Sequence, residues 1–229
     1  MKKNDPLSKK LALLKPDTLL DTGCGCGSYI AALSPLCGKI TAVDISGGLI
    51  ERCMREHQKN NITYLTMDGK NLMFPDVNFT VVMERGTLHH MIEWEKALDE
   101  MVRVSSRYIF VVEPFDDLRN KAKKNTLYCH KFFTEVQNDA GYSHYEHIKP
   151  ELLLEYFRRK EIPVETTVIK SDELIEFDEF FMDFQHFASK SSKRDLFIKR
   201  FEELRRELEG NKLCENDRIY IFAEKGGRQ

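Results

Sequence analysis

A chain of 229 residues with 41% hydrophobic and 31% charged side chains can bury one large α/β core and is too apolar for a disordered polymer. Its formal net charge of −2 gives nucleic acid no long-range attraction. No apolar run approaches the roughly 18 residues of a membrane helix. The basic start Met1-Lys2-Lys3-Asn4 is not followed by the apolar stretch of a secretory leader, so a cytoplasmic protein is expected.

The first 120 residues alternate short β-rich runs with helical patterns, which predicts a parallel sheet with crossover helices. Thr18-Leu19-Leu20 reads as the first strand, ending at Asp21, and a helix follows from Tyr29 to Leu33. Lys39 to Val43 is the second strand, closed by Asp44, with a helix from Gly48 to Gln58. Ile62 to Thr66 is the third, Phe79 to Met83 the fourth, and Trp94 to Val104 an amphipathic helix. Tyr108 to Val112 is the fifth strand, stopped by Glu113-Pro114. These continuous apolar runs suit a sheet covered on both faces.

Beyond residue 115 the pattern loosens. Residues 116–140 read as polar helix, a further helix starts at Pro150, and Val164–Ile169 and Ile219–Ala223 read as late strands. Between those strands, residues 171–216 carry helical periodicity without a Gly/Ser/Pro-rich linker. They are read as an insertion on a single domain spanning 1–229 that serves either as packing or as a substrate lid. Phe177, Phe180, Phe181, Phe184 and Phe187 form an aromatic stripe in it that either packs as core or lines a pocket with Tyr128, Phe132, Phe133 and Tyr142. The basic run Arg119-Asn120-Lys121-Ala122-Lys123-Lys124 is read as a solvated helix face rather than a nucleic-acid patch.

The chemistry begins at Asp21-Thr22-Gly23-Cys24-Gly25-Cys26-Gly27, a strand running into a glycine turn and then a helix. Glycines permit positive φ and let the backbone approach a nucleotide. The spacing is G-x-G-x-G, whereas a dinucleotide site needs G-x-G-x-x-G, and that third glycine position falls on Ser28 or Ile30. Asp44 ends the second strand 21 residues after Gly23, where a carboxylate can accept from both ribose hydroxyls. With Asp21, Asp68 and Glu84 it puts four acids at consecutive strand ends, the rim where open α/β sheets bind ligands.

The run Leu19–Gly27 resembles motif I of the class I methyltransferases. Ala42-Val43-Asp44-Ile45-Ser46 is similar to their ribose motif, Met67-Asp68-Gly69 to the adenine motif, and Thr87-Leu88-His89-His90 with Ala97–Val104 to the small-molecule (type 11) branch. The resemblance spans about residues 15–115. It implies a three-layer, doubly wound, seven-stranded and mostly parallel sheet whose last strand is antiparallel. It also implies S-adenosylmethionine as cofactor and S-adenosylhomocysteine as product. On that resemblance Asp21, Gly23, Cys24, Gly25 and Gly27 lie beside the cofactor's amino acid and adenosine. Asp44 holds the ribose, Ile45 packs on the adenine, Asp68 and Gly69 meet the adenine amino group, and Glu84 and Arg85 border the methionine.

His89 and His90 are the candidate bases because they follow the fourth strand. The Asn/Asp-Pro-Pro-Tyr/Phe signature of base-amine methylation is replaced by Glu84-Arg85-Gly86-Thr87, which with the acidic charge disfavours nucleic acid. The aromatic residues of the insertion point to a small, partly apolar acceptor. Cys129, His130, His144 and His147 fall within nineteen residues, but their spacing is loose and no metal ligand is assigned. Two other readings stand beside this one: a nicotinamide-dependent oxidoreductase, and a cofactor-binding partner subunit without catalysis.

Overall fold

Leu19 and Leu20 point to opposite faces of the sheet, as do Val81 and Val82, Ile109 and Phe110, and Ile221 and Phe222, and every one of them is buried. This is why the strands read as unbroken apolar runs: both faces are covered. The structure, a computed structural model, describes residues 5–226; the basic start Met1–Asn4 lies outside the described residues.

The elements run α1 (Pro6–Leu14), β1 (Thr18–Thr22), α2 (Ser28–Leu33), β2 (Lys39–Asp44), α3 (Gly47–Glu56), β3 (Ile62–Thr66), β4 (Phe79–Arg85), α4 (Trp94–Val104) and β5 (Ser105–Phe115). Then come α5 (Lys121–Asp139), α6 (Pro150–Arg159), β6 (Val164–Ile169), β7 (Leu174–Ile175), α7 (Phe177–Phe180), α8 (Phe184–Lys190), α9 (Arg194–Glu207), β8 (Leu213–Cys214) and β9 (Asp217–Glu224). The large sheet has the order β3-β2-β1-β4-β5-β9-β6, with β9 antiparallel to both neighbours, as the resemblance implied. Strand order reverses between β1 and β4, and such a switch point opens a crevice at the strands' carboxyl ends. Asp21 and Glu84 stand at its two sides.

One face is covered by α1, α2 and α3 through Leu7, Leu11, Ile30, Leu33, Ile50 and Cys53. The other is covered by α4 and α6 through Leu98, Met101, Leu153, Tyr156 and Phe157. Residues 171–216 fold mainly as helices α7–α9 and pack on α5 around a separate core of Phe132, Phe181, Phe184, Phe197 and Phe201, where Phe184 and Phe201 stack at 4.1 Å. Packing therefore accounts for Phe181 and Phe184 of the aromatic stripe. No helix among the described residues is long and apolar enough to cross a membrane.

Two elements depart from the sequence reading. α1 was not anticipated, although Asp5-Pro6 announces it: Asp5 caps the helix by accepting from Ser8 N at 2.9 Å, with proline at the first helical position. Asp5 also accepts from the hydroxyls of Tyr29 (2.7 Å) and Tyr220 (3.0 Å), which pins the helix to the domain. β5 does not stop at Glu113-Pro114 but runs on to Phe115. The β4 ladder has already ended with Arg85 opposite Val112, so Pro114 sits where that side of the strand is open and its missing N–H costs nothing there.

The run Arg119–Lys124 is only partly a solvated face. Asp217, fully buried at the start of β9, accepts from Lys123 Nζ at 2.6 Å, from Arg119 Nη1 at 2.5 Å and from Ser171 N at 2.9 Å. Two cations of the run thus clamp α5 and residue 171 to the sheet. Asp217→Ala is expected to leave Lys123 buried without its counter-charge and to cost about 3–5 kcal/mol, read as a lowered urea midpoint. A midpoint within error of the wild type would show that the clamp contributes nothing.

Candidate functional site

Gly23, Gly25 and Gly27 have φ of 77°, 55° and 77°, the left-handed region that side chains avoid. A Cβ on Gly23 would lie 2.1 Å from Thr87 Cγ2, and one on Gly27 2.7 Å from Cys53 Sγ, so at both positions close packing requires glycine as well. Gly23 N and Cys24 N both donate to Val43 O, at 2.7 and 2.9 Å, which folds the turn over the end of β2. Cys24 is half-buried, and burial pushes its thiol far above the ordinary range, so it is a neutral packing group.

Asp44 closes that turn. Its Oδ2 accepts from Gly25 N and its Oδ1 from Ser46 N, both at 2.9 Å. Ile45 beside it is 70% exposed, an apolar side chain left facing out at the rim. On the neighbouring strand end, Asp68 Oδ1 accepts from Lys70 N at 2.9 Å and shapes the turn that contains Gly69.

Behind the turn lies a group of buried acids. Glu84 accepts from Val112 N (2.9 Å) and Thr87 N (3.0 Å). Glu113 accepts from Leu88 N (2.9 Å) and faces His89 Nδ1 at 2.7 Å. Burial raises both, to about 7 for Glu113, and Glu84 is raised further by the adjacent Glu113. Asp21 is raised to about 7 by burial, then by Glu84 and Asp44, while Arg85 opposes the shift. The guanidinium of Arg85 lies 4.2 Å from the centre of the Tyr29 ring, and its Nε is buried without a partner. Arg85 and Tyr29 line a cleft of about 770 Å³ together with Asp5, Lys170, Asp172 and Tyr220.

His89 is buried and His90 exposed, on a one-turn 3-10 segment, Leu88–His90, directly after β4. His130, His144 and His147 join them. His130 and His147 stack at 4.1 Å, His89 and His144 have centroids 5.2 Å apart, and His130 Nε2 lies 3.1 Å from His144 Nε2. Burial pushes His89 and His130 down to about 3 and His144 to about 2, so these rings are neutral near pH 7. Two features that looked separate in the sequence are one cluster. Cys129 is not part of it, because it packs in the core between α5 and the insertion.

The strand-end acids and the glycines thus gather where expected. Glu113 was missed as a site residue, although it continues the series of acids at strand ends one strand further. Asp116 and Gln137, which face His147 Nδ1 (3.0 Å) and His144 Nδ1 (2.5 Å), had no such signal.

Sheet order and glycine turn together define a doubly wound α/β domain of the Rossmann-like type. Residues 20–107 match the family model described as a methyltransferase domain. That domain match, with the fold around it, supports a class I S-adenosylmethionine-dependent methyltransferase. It is 29% identical over 97 residues to the uncharacterized methyltransferase Rv0089 of Mycobacterium tuberculosis, covering 42% of this chain and 49% of that protein. It is also 29% identical over 98 residues to the demethylmenaquinone methyltransferase of Clavibacter sepedonicus, covering 42% of this chain and 40% of that protein. The chain therefore aligns with half or less of these curated relatives. Among solved structures, the YcgJ protein of Bacillus subtilis superposes with a TM-score of 0.69 at 17% identity over 96% of each chain, a likeness of fold.

The residues present fit the cofactor that the family implies. Glycines without Cβ form the turn, Asp44 offers a carboxylate, Ile45 an exposed apolar contact and Arg85 an unpartnered Nε.

Asp21 makes a pH prediction. Its folded value near 7 stands above the ordinary 3.8, so its contribution to stability is complete below about pH 4 and is lost as pH rises to about 7. Above that, the buried carboxylate costs the ligand-free protein about 3–5 kcal/mol. Asp21→Asn should therefore gain stability relative to wild type as pH rises through this window, measured by urea unfolding at several pH values. A pH-independent difference between the two proteins would rule out the shift.

Proposed function

We propose that this protein transfers the methyl group of S-adenosylmethionine to a small, partly apolar acceptor and releases S-adenosylhomocysteine. The observation that carries the reading is the clasp between Gly25 N and Asp44 Oδ2, which joins the positive-φ turn to the carboxylate at the next strand end. When bound, the cofactor supplies a methyl carbon already activated on a sulfonium. An acceptor lone pair attacks that carbon, the carbon–sulfur bond breaks, and its electrons stay on sulfur.

The protein's part is to hold two partners in line, an effect worth up to about 7–11 kcal/mol. Asp44 accepts from the ribose hydroxyls, Ile45 lies against the adenine and Asp68 accepts from its amino group. Glu84 and Arg85 border the methionine, and Asp21 ionises beside its positive charge. If the acceptor carries a proton, His89 takes it at Nε2 while Glu113 holds Nδ1. The helical segment 171–216, with α5, covers the acceptor side. A small acceptor is supported by the weak global charge, and by a relative whose name specifies demethylmenaquinone.

Calorimetric titration is expected to show binding of S-adenosylmethionine and S-adenosylhomocysteine but not of NAD. Asp44→Ala should weaken that binding at least tenfold, about 1.4 kcal/mol. Binding of NAD alone would replace the reading by an oxidoreductase. Transfer of labelled methyl into an extract tests the chemistry, and His89→Ala should abolish it without changing cofactor affinity. Cofactor binding without any incorporation would mark a non-catalytic partner subunit.

A further inference from the structure

Five of the protein's seven histidines meet at the carboxyl end of β4 and β5; the others, His57 and His186, lie elsewhere. A ring nitrogen from each of His89, His90 and His144 lies within 4.8 Å of the other two. We propose that these three histidines bind one divalent late first-row transition metal, Zn²⁺ fitting best.

The orientation of the rings carries the inference. The Nδ1 atoms of His89, His90 and His144 each face an acceptor: Glu113 Oε2 at 2.7 Å, Ser143 O at 2.9 Å and Gln137 Oε1 at 2.5 Å. An acceptor at Nδ1 places the proton there and leaves the Nε2 lone pair outward. This outer partner, carboxylate or carbonyl, is the one that metal-bound histidines have. Among the described residues neither His89 Nε2 nor His90 Nε2 has a hydrogen-bond partner. His144 Nε2 meets only His130 Nε2, at 3.1 Å. At that distance it accepts a hydrogen bond from His130, and an ion about 2.0–2.1 Å from His144 Nε2 would take that proton's place.

The backbone holds the loop in place. Tyr145 N donates to His89 O at 3.0 Å, tying the loop to the 3-10 turn. The side chain of Asn138, on α5, both donates to His144 O (2.7 Å) and accepts from His144 N (2.9 Å). Ring stacking by itself would need neither strap. The donor set is imidazole nitrogen without thiolate, since Cys129 turns into the other core, and nitrogen sets favour Zn²⁺, Ni²⁺ or Cu²⁺ over Mg²⁺ or Ca²⁺. His90 is exposed, which gives an ion a way in.

On the methyl-transfer reading the ion would sit just past Glu84 and Arg85, where an acceptor must approach. With His89 Nε2 bound to it, the ion would lower the acceptor's pKa in place of the free His89 base. The acceptor class is then a small molecule with a metal-binding heteroatom, a thiolate, hydroxyl or amine, held by the ion.

The test uses the untagged full chain, stripped with chelator and titrated with Co²⁺ and then Zn²⁺, while S-adenosylhomocysteine is titrated separately by calorimetry. One equivalent of Co²⁺ should bind with visible ligand-field bands, and Zn²⁺ should displace it. His90→Gln and His144→Gln should each weaken Co²⁺ binding at least tenfold, and Gln137→Ala about 10–100-fold as an outer partner. His57→Gln and His186→Gln should leave it unchanged. Wild-type protein that takes up no metal at micromolar concentrations, or cluster variants that bind as wild type does, would overturn the site. If a histidine variant fails to fold, the wild-type stoichiometry and ligand-field spectrum decide alone. Protein that binds the nucleoside but no metal sinks this proposal and spares the methyl-transfer reading. Protein that binds metal but no nucleoside does the reverse.

Discussion

The site depends on two carboxylates standing in for backbone acceptors. β4 stops at Arg85 while β5 continues, and the chain turns sharply at Gly86 into a one-turn helix. The N–H groups of Thr87, Leu88 and Val112 then find no acceptor on a neighbouring strand, and each would cost about 1–3 kcal/mol if left unpaired. Glu84 and Glu113 take all three. The cost shows in the acids themselves: burial pushes both upward, and the adjacent Glu113 raises Glu84 further. What is gained is position: Glu113, having accepted from Leu88, presents its second oxygen to His89, so one side chain sets both the backbone and the ring.

Much of this was legible in the sequence wherever a rule is local. Parallel strands covered on both faces leave continuous apolar runs, and acids at strand ends follow a strand's length from its turn, so Asp21, Asp44, Asp68 and Glu84 could be placed from position alone. Glu113 escaped because the proline after it looked like the end of the strand. That inference fails when one neighbour has already ended and the proline faces open space.

The histidine cluster was not legible as a unit because its members come from three segments with no shared period. Short spacing grouped Cys129 with His130, yet adjacent residues on a helix point about 100° apart. Cys129 therefore enters the aromatic core with Phe132 and Val136, while His130 faces His144 and His147. His89 and His90 reach the same place from β4 through a tight turn, and only the loop after α5, tied back by Asn138, closes the set.

α5 is thus a wall shared by two chemically different spaces. One side is packed by phenylalanines of the insertion, including the Phe184–Phe201 stack, and its start is fixed to β9 through Asp217 with Lys123 and Arg119. The other side carries His130 toward the strand ends where the glycine turn lies. A buried ion clamp at one end and an aromatic core along its length leave the helix little freedom to rotate, since interiors packed at crystal-like density transmit displacement rather than absorb it. The aromatic stripe, read in the sequence as either core or pocket, thereby serves the site from behind: its packing determines where His130 stands.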